Sequence, residues 1–116
     1  MNISSDKKKE LQAEYKQLKT DMGIFAVINK DTKKYFLVET KNLKGKINST
    51  SFQLRSGAHP NRELLHDWQQ QGADRFEINV LEQIDYEDGK DDYSDDLELL
   101  RMMWTEKLAA QGIGFY

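Results

Sequence analysis

The sequence predicts one small α+β domain. Three segments have the pattern of short β-strands, at about residues 24–28, 35–38 and 76–80, and segments with helical spacing stand before, between and after them. At 116 residues, with 38% hydrophobic and 32% charged residues, the chain is long enough to bury a core without disulfides or metals. We therefore expect a folded, soluble protein rather than a disordered one.

Composition limits both the chemistry and the location. Because the chain has no cysteine, it has no disulfide, no thiolate nucleophile and no cysteine-ligated zinc, and it suits a reducing compartment. No apolar run approaches the ~20 residues that span a bilayer, and the polar, lysine-rich start of the chain is unlike a secretory signal. We expect a cytoplasmic protein without a membrane partner.

Charge is distributed unevenly along the chain. The 17 basic and 20 acidic residues give a net charge of −3, which provides no global support for binding to duplex nucleic acid. Lysines cluster between residues 33 and 46, where a local basic face is one interpretation and a solvated surface is the other.

Acidic residues cluster between 85 and 96, but the glycine there stands one place too early for a calcium-binding EF-hand loop. We predict a solvated acidic loop.

The first 22 residues predict an appended helix. Leu11, Tyr15, Leu18 and Met22 recur at helical spacing from about residue 5 onward, and Gly23 then breaks the pattern. This divides the chain into an N-terminal amphipathic helix, residues 1–22, packed on the core, and a domain comprising residues 23–116. Self-association is the alternative use of the helix's apolar stripe.

Two strands and a helix follow. Residues 24–28 form a continuous apolar run, typical of a strand buried on both faces, and 35–38 complete a hairpin with it. Asn42 caps a helix that ends near Gly57. Gly45, together with the polar run that follows it, predicts that this helix is short or irregular.

The second half of the chain predicts two helices around one strand. Pro60 suits the first turn of a helix that stops at Gly72, and alternation at residues 76–80 predicts a half-exposed strand. Asp95 followed by Glu98 resembles a capping box at the start of the last helix. The apolar residues of that helix recur at helical spacing: Leu97, Leu100, Trp104 and Leu108.

Several segments, in this order, resemble the GIY-YIG nuclease superfamily. They include Gly23-Ile24-Phe25, the stretch 35–43 (YFLVETKNL), the stretch 54–64 (LRSGAHPNREL) and the stretch 104–108 (WTEKL). The resemblance covers most of the chain and implies a three-stranded, mostly antiparallel sheet flanked by helices. It also implies an activity, because such nucleases hydrolyse phosphodiesters with one divalent metal, a tyrosine hydroxyl, an arginine and a helical glutamate.

The residues at the family's functional positions do not supply those groups. The two tyrosine positions fall on Phe25 and Phe36, and a glycine position falls on Val38. The arginine position falls on Lys46, and a position that is often histidine falls on Thr50. The metal-binding glutamate position falls on Arg101. Phenylalanine has no hydroxyl, lysine lacks the bidentate fork, and a cation at position 101 repels Mg²⁺. We therefore predict a degenerate domain with no intact catalytic site and no bound metal.

Three hypotheses follow. The first is an inactive binding or interaction module, with nucleic acid approaching a cleft near four cations: Lys44, Lys46, Arg62 and Arg101. The second is a divergent endonuclease that uses Glu98 as a relocated carboxylate with Mg²⁺ or Mn²⁺, although capping of its own helix is the preferred interpretation of Glu98. The third is a protein-interaction module built on the N-terminal helix and the acidic loop. His59 and His66 are interpreted as structural or surface residues.

Overall fold

Three strands and three α-helices make up the described part of the chain. The computed structural model describes residues 19–116. In order, the elements are β1 (Met22–Asn29), β2 (Tyr35–Thr40), α1 (Leu43–Ser56), α2 (Arg62–Gln71), a 3-10 turn (Ala73–Arg75), β3 (Phe76–Ile84) and α3 (Ser94–Ala110). The predicted α+β class is confirmed. The predicted N-terminal helix lies outside the described residues, apart from residues 19–22, which are not helical.

β1 is the middle strand of the sheet. The strand order is β2-β1-β3, and both pairings are antiparallel. All eight residues of β1 are buried, because α1 and α2 cover one face of the sheet while α3 covers the other. The prediction that this apolar run is a strand buried on both faces is confirmed.

The side chains of β1 point alternately into two cores. The larger core contains two β1 residues and residues from α1, α2 and β3: Phe25, Val27, Leu43, Leu54, Leu64 and Phe76. The smaller core lies under α3 and consists of Met22, Tyr93 and Leu97. Each fully buried side chain of this size stabilises the fold by about 1.5–3 kcal/mol relative to exposure.

Gly23 allows β1 and β3 to approach each other closely. A Cβ atom at this position would lie 2.1 Å from the carbonyl oxygen of Glu82 and 2.8 Å from Cα of Gln83. Both are backbone atoms of the sheet, so neither moves without disturbing the ladder. Directly beyond Gly23 the β1–β3 register shifts between Ile24 and Phe25, which is a β-bulge.

α1 begins and ends as predicted. Asn42 Oδ1 accepts a hydrogen bond from the Gly45 N–H at 3.0 Å, and Gly57 ends the helix with φ of 78°. The prediction that α1 is short or irregular was wrong, since it has 14 residues. Burial of Leu43 and Leu54 outweighs the roughly 1 kcal/mol by which glycine disfavours a helix.

The starts of α2 and α3 differ from the predictions. Asn61 caps α2, so Pro60 precedes the helix instead of lying in its first turn. The predicted capping box of Asp95 and Glu98 does not form, because α3 already begins at Ser94 and Asp95 lies inside its first turn. A carboxylate there still interacts favourably with the helix dipole.

The acidic loop is fixed by Tyr93, the residue before α3. Its ring is 3% exposed, and its hydroxyl oxygen accepts a hydrogen bond from the Glu87 N–H at 2.6 Å. Lys90 Nζ lies 2.6 Å from Asp96 Oδ2, which links the loop to the first turn of α3. No helix within residues 19–116 is long and apolar enough to cross a membrane.

The last residues pair with the start of β2. The Tyr35 N–H donates to the Gly114 oxygen at 3.0 Å, and the Tyr116 N–H donates to the Tyr35 oxygen at 3.0 Å. The hydroxyl of Tyr116 donates to Asp67 Oδ2 at 2.7 Å and accepts from Asn29 Nδ2 at 3.0 Å. Burial is the main cause of the raised pKa of Tyr116, and the Asp67 carboxylate acts in the same direction. This network joins β1, α2 and the end of the described chain.

Candidate functional site

A cleft opens along the outer edge of β2, between this strand, α1 and the loop that precedes α2. Its volume is about 270 Å³. The lining combines apolar, basic and hydrogen-bonding side chains: Phe36, Leu37, Val38, Glu39, Lys46, Thr50, Gln53, His59 and Pro60. Four of the lining residues come from β2, so the edge of the sheet forms one wall of the cleft.

Backbone groups of β2 face the cleft. The Asn29 N–H donates to the Lys34 oxygen at 2.9 Å. In an antiparallel ladder every second residue of a strand bonds to its neighbour. The even-numbered residues of β2 therefore form the backbone hydrogen bonds to β1. The backbone N–H and C=O groups of Tyr35, Leu37 and Glu39 therefore point outward. Those of Tyr35 bond to the last residues of the chain, and those of Leu37 and Glu39 face the cleft.

The residues at the family's tyrosine positions are part of the larger core or border it. Phe25 is 0% exposed and lies opposite Val38 in the sheet. Phe36 is half-buried, and its ring meets that of His59 edge to face, with centroids 5.2 Å apart. Tyr35 lies opposite Ile28 on the other face of the sheet, as strand alternation requires.

α1 contributes two polar side chains to the cleft, one turn apart. Lys46 is exposed, whereas Thr50 is 1% exposed. A spacing of four residues places them on the same face of the helix. The cleft thus has a cation near its mouth and a hydroxyl deeper inside.

His59 forms the end of the cleft opposite β2. It is 6% exposed, and its Nδ1 accepts a hydrogen bond from the Asn61 N–H at 3.0 Å. This bond requires an unprotonated Nδ1, so the neutral ring carries its proton on Nε2. Burial lowers the pKa of His59, and the positive charge of Lys46 contributes to the lowering. The ring is therefore held neutral near pH 7.

Arg101 of α3 forms an ion pair with a cleft residue. Its Nε lies 2.5 Å from Oε2 of Glu39, which is buried, although the contact does not have the geometry of a hydrogen bond. Glu39 lies opposite Ile24, on the sheet face that α3 covers. The positive charge at position 101 is thus paired with a carboxylate on the α3 side of β2, the strand that forms one wall of the cleft.

Two solved structures resemble this architecture. Both are of the catalytic domain of I-TevI, named as an intron endonuclease in one case, where it is a point mutant, and as a homing endonuclease in the other. The first gives a TM-score of 0.66 over 84% of this chain and 93% of that chain. The second gives 0.65 over 80% and 94%, and sequence identity is 22% in both cases. This chain has a GIY-YIG-like fold. No protein-family model and no curated protein sequence matches it.

Within this GIY-YIG-like fold, the structure brings some of the predicted site residues together and separates others. Lys46 lines the cleft, whereas Arg101 does not line it and pairs with Glu39 on the α3 side of β2. Lys44 lines a different depression, which it shares with Lys19, Thr20, Asp21, Asn42, Gly45 and Asn48. Arg62 is the first residue of α2 and does not line the cleft.

Two residues of the cleft were missed by sequence reasoning. The pairing of Glu39 could be recognised only from the strand register. The signal available in the sequence was Arg101, because an arginine at a position where the family has a carboxylate needs a compensating anion. His59 was interpreted as a structural or surface histidine, and it is indeed buried, but it also lines the cleft. Its place between Gly57 and the Asn61 cap was the available signal.

The residues present do not fit the divalent metal that the fold implies. Within residues 19–116 there is no group of three or more histidine, aspartate or glutamate side chains that could hold a metal ion. Glu39 is the acidic residue among those that line the cleft, but its carboxylate is paired with Arg101 on the α3 side of β2. Glu98 is exposed on α3. Because Mg²⁺ prefers several oxygen ligands, this donor set does not match it.

Proposed function

We propose that this GIY-YIG-like domain binds nucleic acid through the cleft beside β2 without cleaving it, in the cytoplasm. The observation that carries the proposal is the complete burial of Phe25. At this position the family mechanism needs a hydroxyl that reaches water and substrate. Here the position has neither a hydroxyl nor access to solvent, which supports a domain that does not cleave.

The cleft offers groups that suit a phosphate. Lys46 supplies an exposed positive charge, and the backbone N–H groups of Leu37 and Glu39 are directed outward beside it. Phosphate contacts of this kind, from lysine, hydroxyl and backbone N–H groups, position nucleic acid without reading its sequence. The site therefore favours weak, salt-sensitive, sequence-independent binding.

A nicking assay tests the absence of cleavage. Supercoiled plasmid is incubated with purified protein and Mg²⁺ or Mn²⁺, with Glu98→Ala as the matched variant. We expect no nicking by either protein, or equal nicking of contaminant origin in both. Nicking by the wild type that disappears in Glu98→Ala would contradict the proposal and establish the relocated-carboxylate nuclease.

A binding assay tests the cleft. Fluorescence anisotropy of a labelled duplex is measured over a range of salt concentrations for wild type, Lys46→Ala and Lys107→Ala. Lys107, on α3, provides the matched control because it is exposed and removes the same charge outside the cleft. Lys46→Ala should weaken binding and lower the slope of log K against log salt by about 0.9, as expected for one lost phosphate contact. An equal effect of both variants would show that only net charge matters.

A further inference from the structure

α1 concentrates positive charge. Of the three α-helices in residues 19–116, it alone contains no aspartate or glutamate. Its three basic residues, Lys44, Lys46 and Arg55, give the helix a charge of +3 in a chain whose net charge is −3. Charge that is segregated in this way attracts a polyanion locally, although the chain as a whole is acidic.

Two of these cations share one side of α1 with an aromatic ring. Four exposed side chains recur along the helix at intervals of four, four and three residues: Lys44, Asn48, Phe52 and Arg55. This spacing places them on one side of the helix, and we name them the outer face of α1. Lys46 instead lies on the side that borders the cleft. The cleft and the outer face of α1 are therefore separated by the width of one helix, about 10–12 Å.

Phe52 stands alone as an exposed apolar side chain on this part of the surface. It is 65% exposed, more than any other large hydrophobic side chain in residues 19–116. The others that are exposed lie on β3, on α3 or in the loop between them. The core of a protein–protein interface is built from several apolar side chains, whereas a nucleotide base stacks on one aromatic ring. An isolated ring beside cations therefore fits a base better than a protein partner.

The cations on either side of Phe52 suit phosphates. Neither Lys44 nor Arg55 forms a salt bridge within residues 19–116. Nε of Arg55 donates to the Ser51 oxygen at 3.4 Å, which keeps the side chain along the helix. Its two terminal nitrogens are left for the bidentate contact that arginine makes with phosphate. Along the helix axis, Lys44 lies about 12 Å before Phe52 and Arg55 about 5 Å after it.

A depression continues the outer face of α1 past the start of the helix. Its volume is about 420 Å³, and Lys44 and Asn48 line it together with Lys19 and Asp21. Asp21 is the acidic residue among those that line it, so the two lysines keep its net charge positive. The depression therefore extends the basic surface beyond the N-terminal end of α1.

We propose that the outer face of α1 binds a single strand of nucleic acid, with a base stacked on Phe52 and phosphates contacted by Lys44 and Arg55. This inference deepens the proposed function and rests on its claim that the domain binds nucleic acid. Stacking on Phe52 requires an unpaired base, because the faces of bases within a duplex are covered by their neighbours. Contacts to ring faces and phosphates do not read base identity. The site therefore selects unpaired over paired nucleic acid, whatever its sequence.

Comparing single strands with a duplex separates this site from the cleft. Fluorescence anisotropy is measured on the full chain with labelled oligothymidylate of about 12 nucleotides, and with oligouridylate and duplex DNA of the same length. Phe52→Ala should weaken binding of the single strands about 5- to 150-fold, as expected for one lost base stack, and leave duplex binding unchanged. The two single-stranded probes show whether DNA or RNA binds more tightly.

Two further variants at this position distinguish stacking from apolar contact. Phe52→Tyr keeps the ring and should retain the wild-type affinity for single strands, whereas Phe52→Leu has no ring and should behave like Phe52→Ala. Met102→Ala is the control outside the face, because Met102 is 56% exposed on α3. Thermal melts of the Phe52 variants should match the wild type, since the side chain is exposed.

Salt dependence tests the phosphate contacts. Lys44→Ala and Arg55→Ala should each lower the slope of log K against log salt for the single strand by about 0.7, the value for one lost contact to single-stranded phosphate. Lys107→Ala, an exposed position on α3, should leave this slope unaltered.

The outcomes separate this inference from the proposed function. Single-strand binding that is unchanged in Phe52→Ala, while duplex binding still depends on Lys46, would overturn the inference and leave the proposed function standing. Wild-type affinity in Phe52→Leu would also overturn it, because the contact would not be stacking. A protein that binds neither single strands nor duplex would contradict the proposed function, and this inference with it. A dimer that Phe52→Ala converts to a monomer in size-exclusion chromatography would assign the outer face of α1 to a second copy and overturn the proposal.

Discussion

Introducing a tyrosine at position 25 tests whether the larger core has room for a hydroxyl at the position that the proposed inactivity depends on. Phe25 is 0% exposed and packs in the larger core, opposite Val38. Phe25→Tyr adds a hydroxyl that must be buried there. Burying a hydroxyl without a hydrogen-bond partner costs about 1–3 kcal/mol in proteins. We expect the free energy of unfolding to fall by this amount.

The loss is large enough to measure by circular dichroism in urea and on heating. One kcal/mol lowers the melting temperature of a domain of 60–100 residues by roughly 4–8 °C, so Phe25→Tyr should melt at least ~4 °C below the wild type. Phe36→Tyr is the matched control, because Phe36 is half-buried and lines the cleft. Its hydroxyl can reach water, so its melting temperature should change little.

The opposite result would refute the reasoning. If Phe25→Tyr were as stable as the wild type, the hydroxyl would have found water or a partner, and position 25 would be open to the cleft. The proposed inactivity would then rest on the missing hydroxyl and carboxylate alone. If both tyrosine variants were equally destabilised, the difference in burial between Phe25 and Phe36 would not be the cause.

Three further changes test other parts of the structure. Gly23→Ala places a Cβ 2.1 Å from a backbone oxygen of β3, so we expect loss of folding in a thermal melt. Tyr116→Phe removes a hydroxyl that bonds to the fully buried Asn29 and should cost about 1–3 kcal/mol in urea unfolding. His59, with a lowered pKa, contributes stability above about pH 6.5 that is lost as the pH falls towards its folded-state pKa. His59→Gln should flatten this loss between pH 7 and 5, and the exposed His66→Gln should not.

Patterns set by a single strand or helix were predictable from the sequence. The apolar run 24–28 required a strand covered on both faces, and Asn42 with Gly57 marked the ends of α1, because each signal depends on local geometry and solvent exclusion. The regularity of α1 was not predictable, since it depends on burial of Leu43 and Leu54 against a sheet formed by distant residues. In such cases tertiary packing outweighs the local helix propensity of the sequence.

The candidate site was less predictable, because its residues are brought together by strand register and helix packing. Neighbouring cations in the sequence suggested a common surface, yet Lys44 and Lys46 line different depressions. A separation of two residues places side chains about 200° apart on a helix, so they do not share a face. The Glu39–Arg101 pair required both the register of β2 and the docking of α3.

The carboxylate of Glu39 partly neutralises the positive charge of Arg101 near the proposed binding site. Glu39→Gln should release the Arg101 guanidinium, which lies on the α3 side of β2, across this edge strand from the cleft, for contact with phosphate. We expect tighter duplex binding and a salt slope steeper by about 0.9. Glu77→Gln, at an exposed position on β3, makes the same change in net charge and should leave the slope unaltered. Adding Arg101→Gln to Glu39→Gln should reverse the gain. If Glu39→Gln and Glu77→Gln tightened binding equally, the effect would come from net charge, and nucleic acid would not contact α3 beside the cleft.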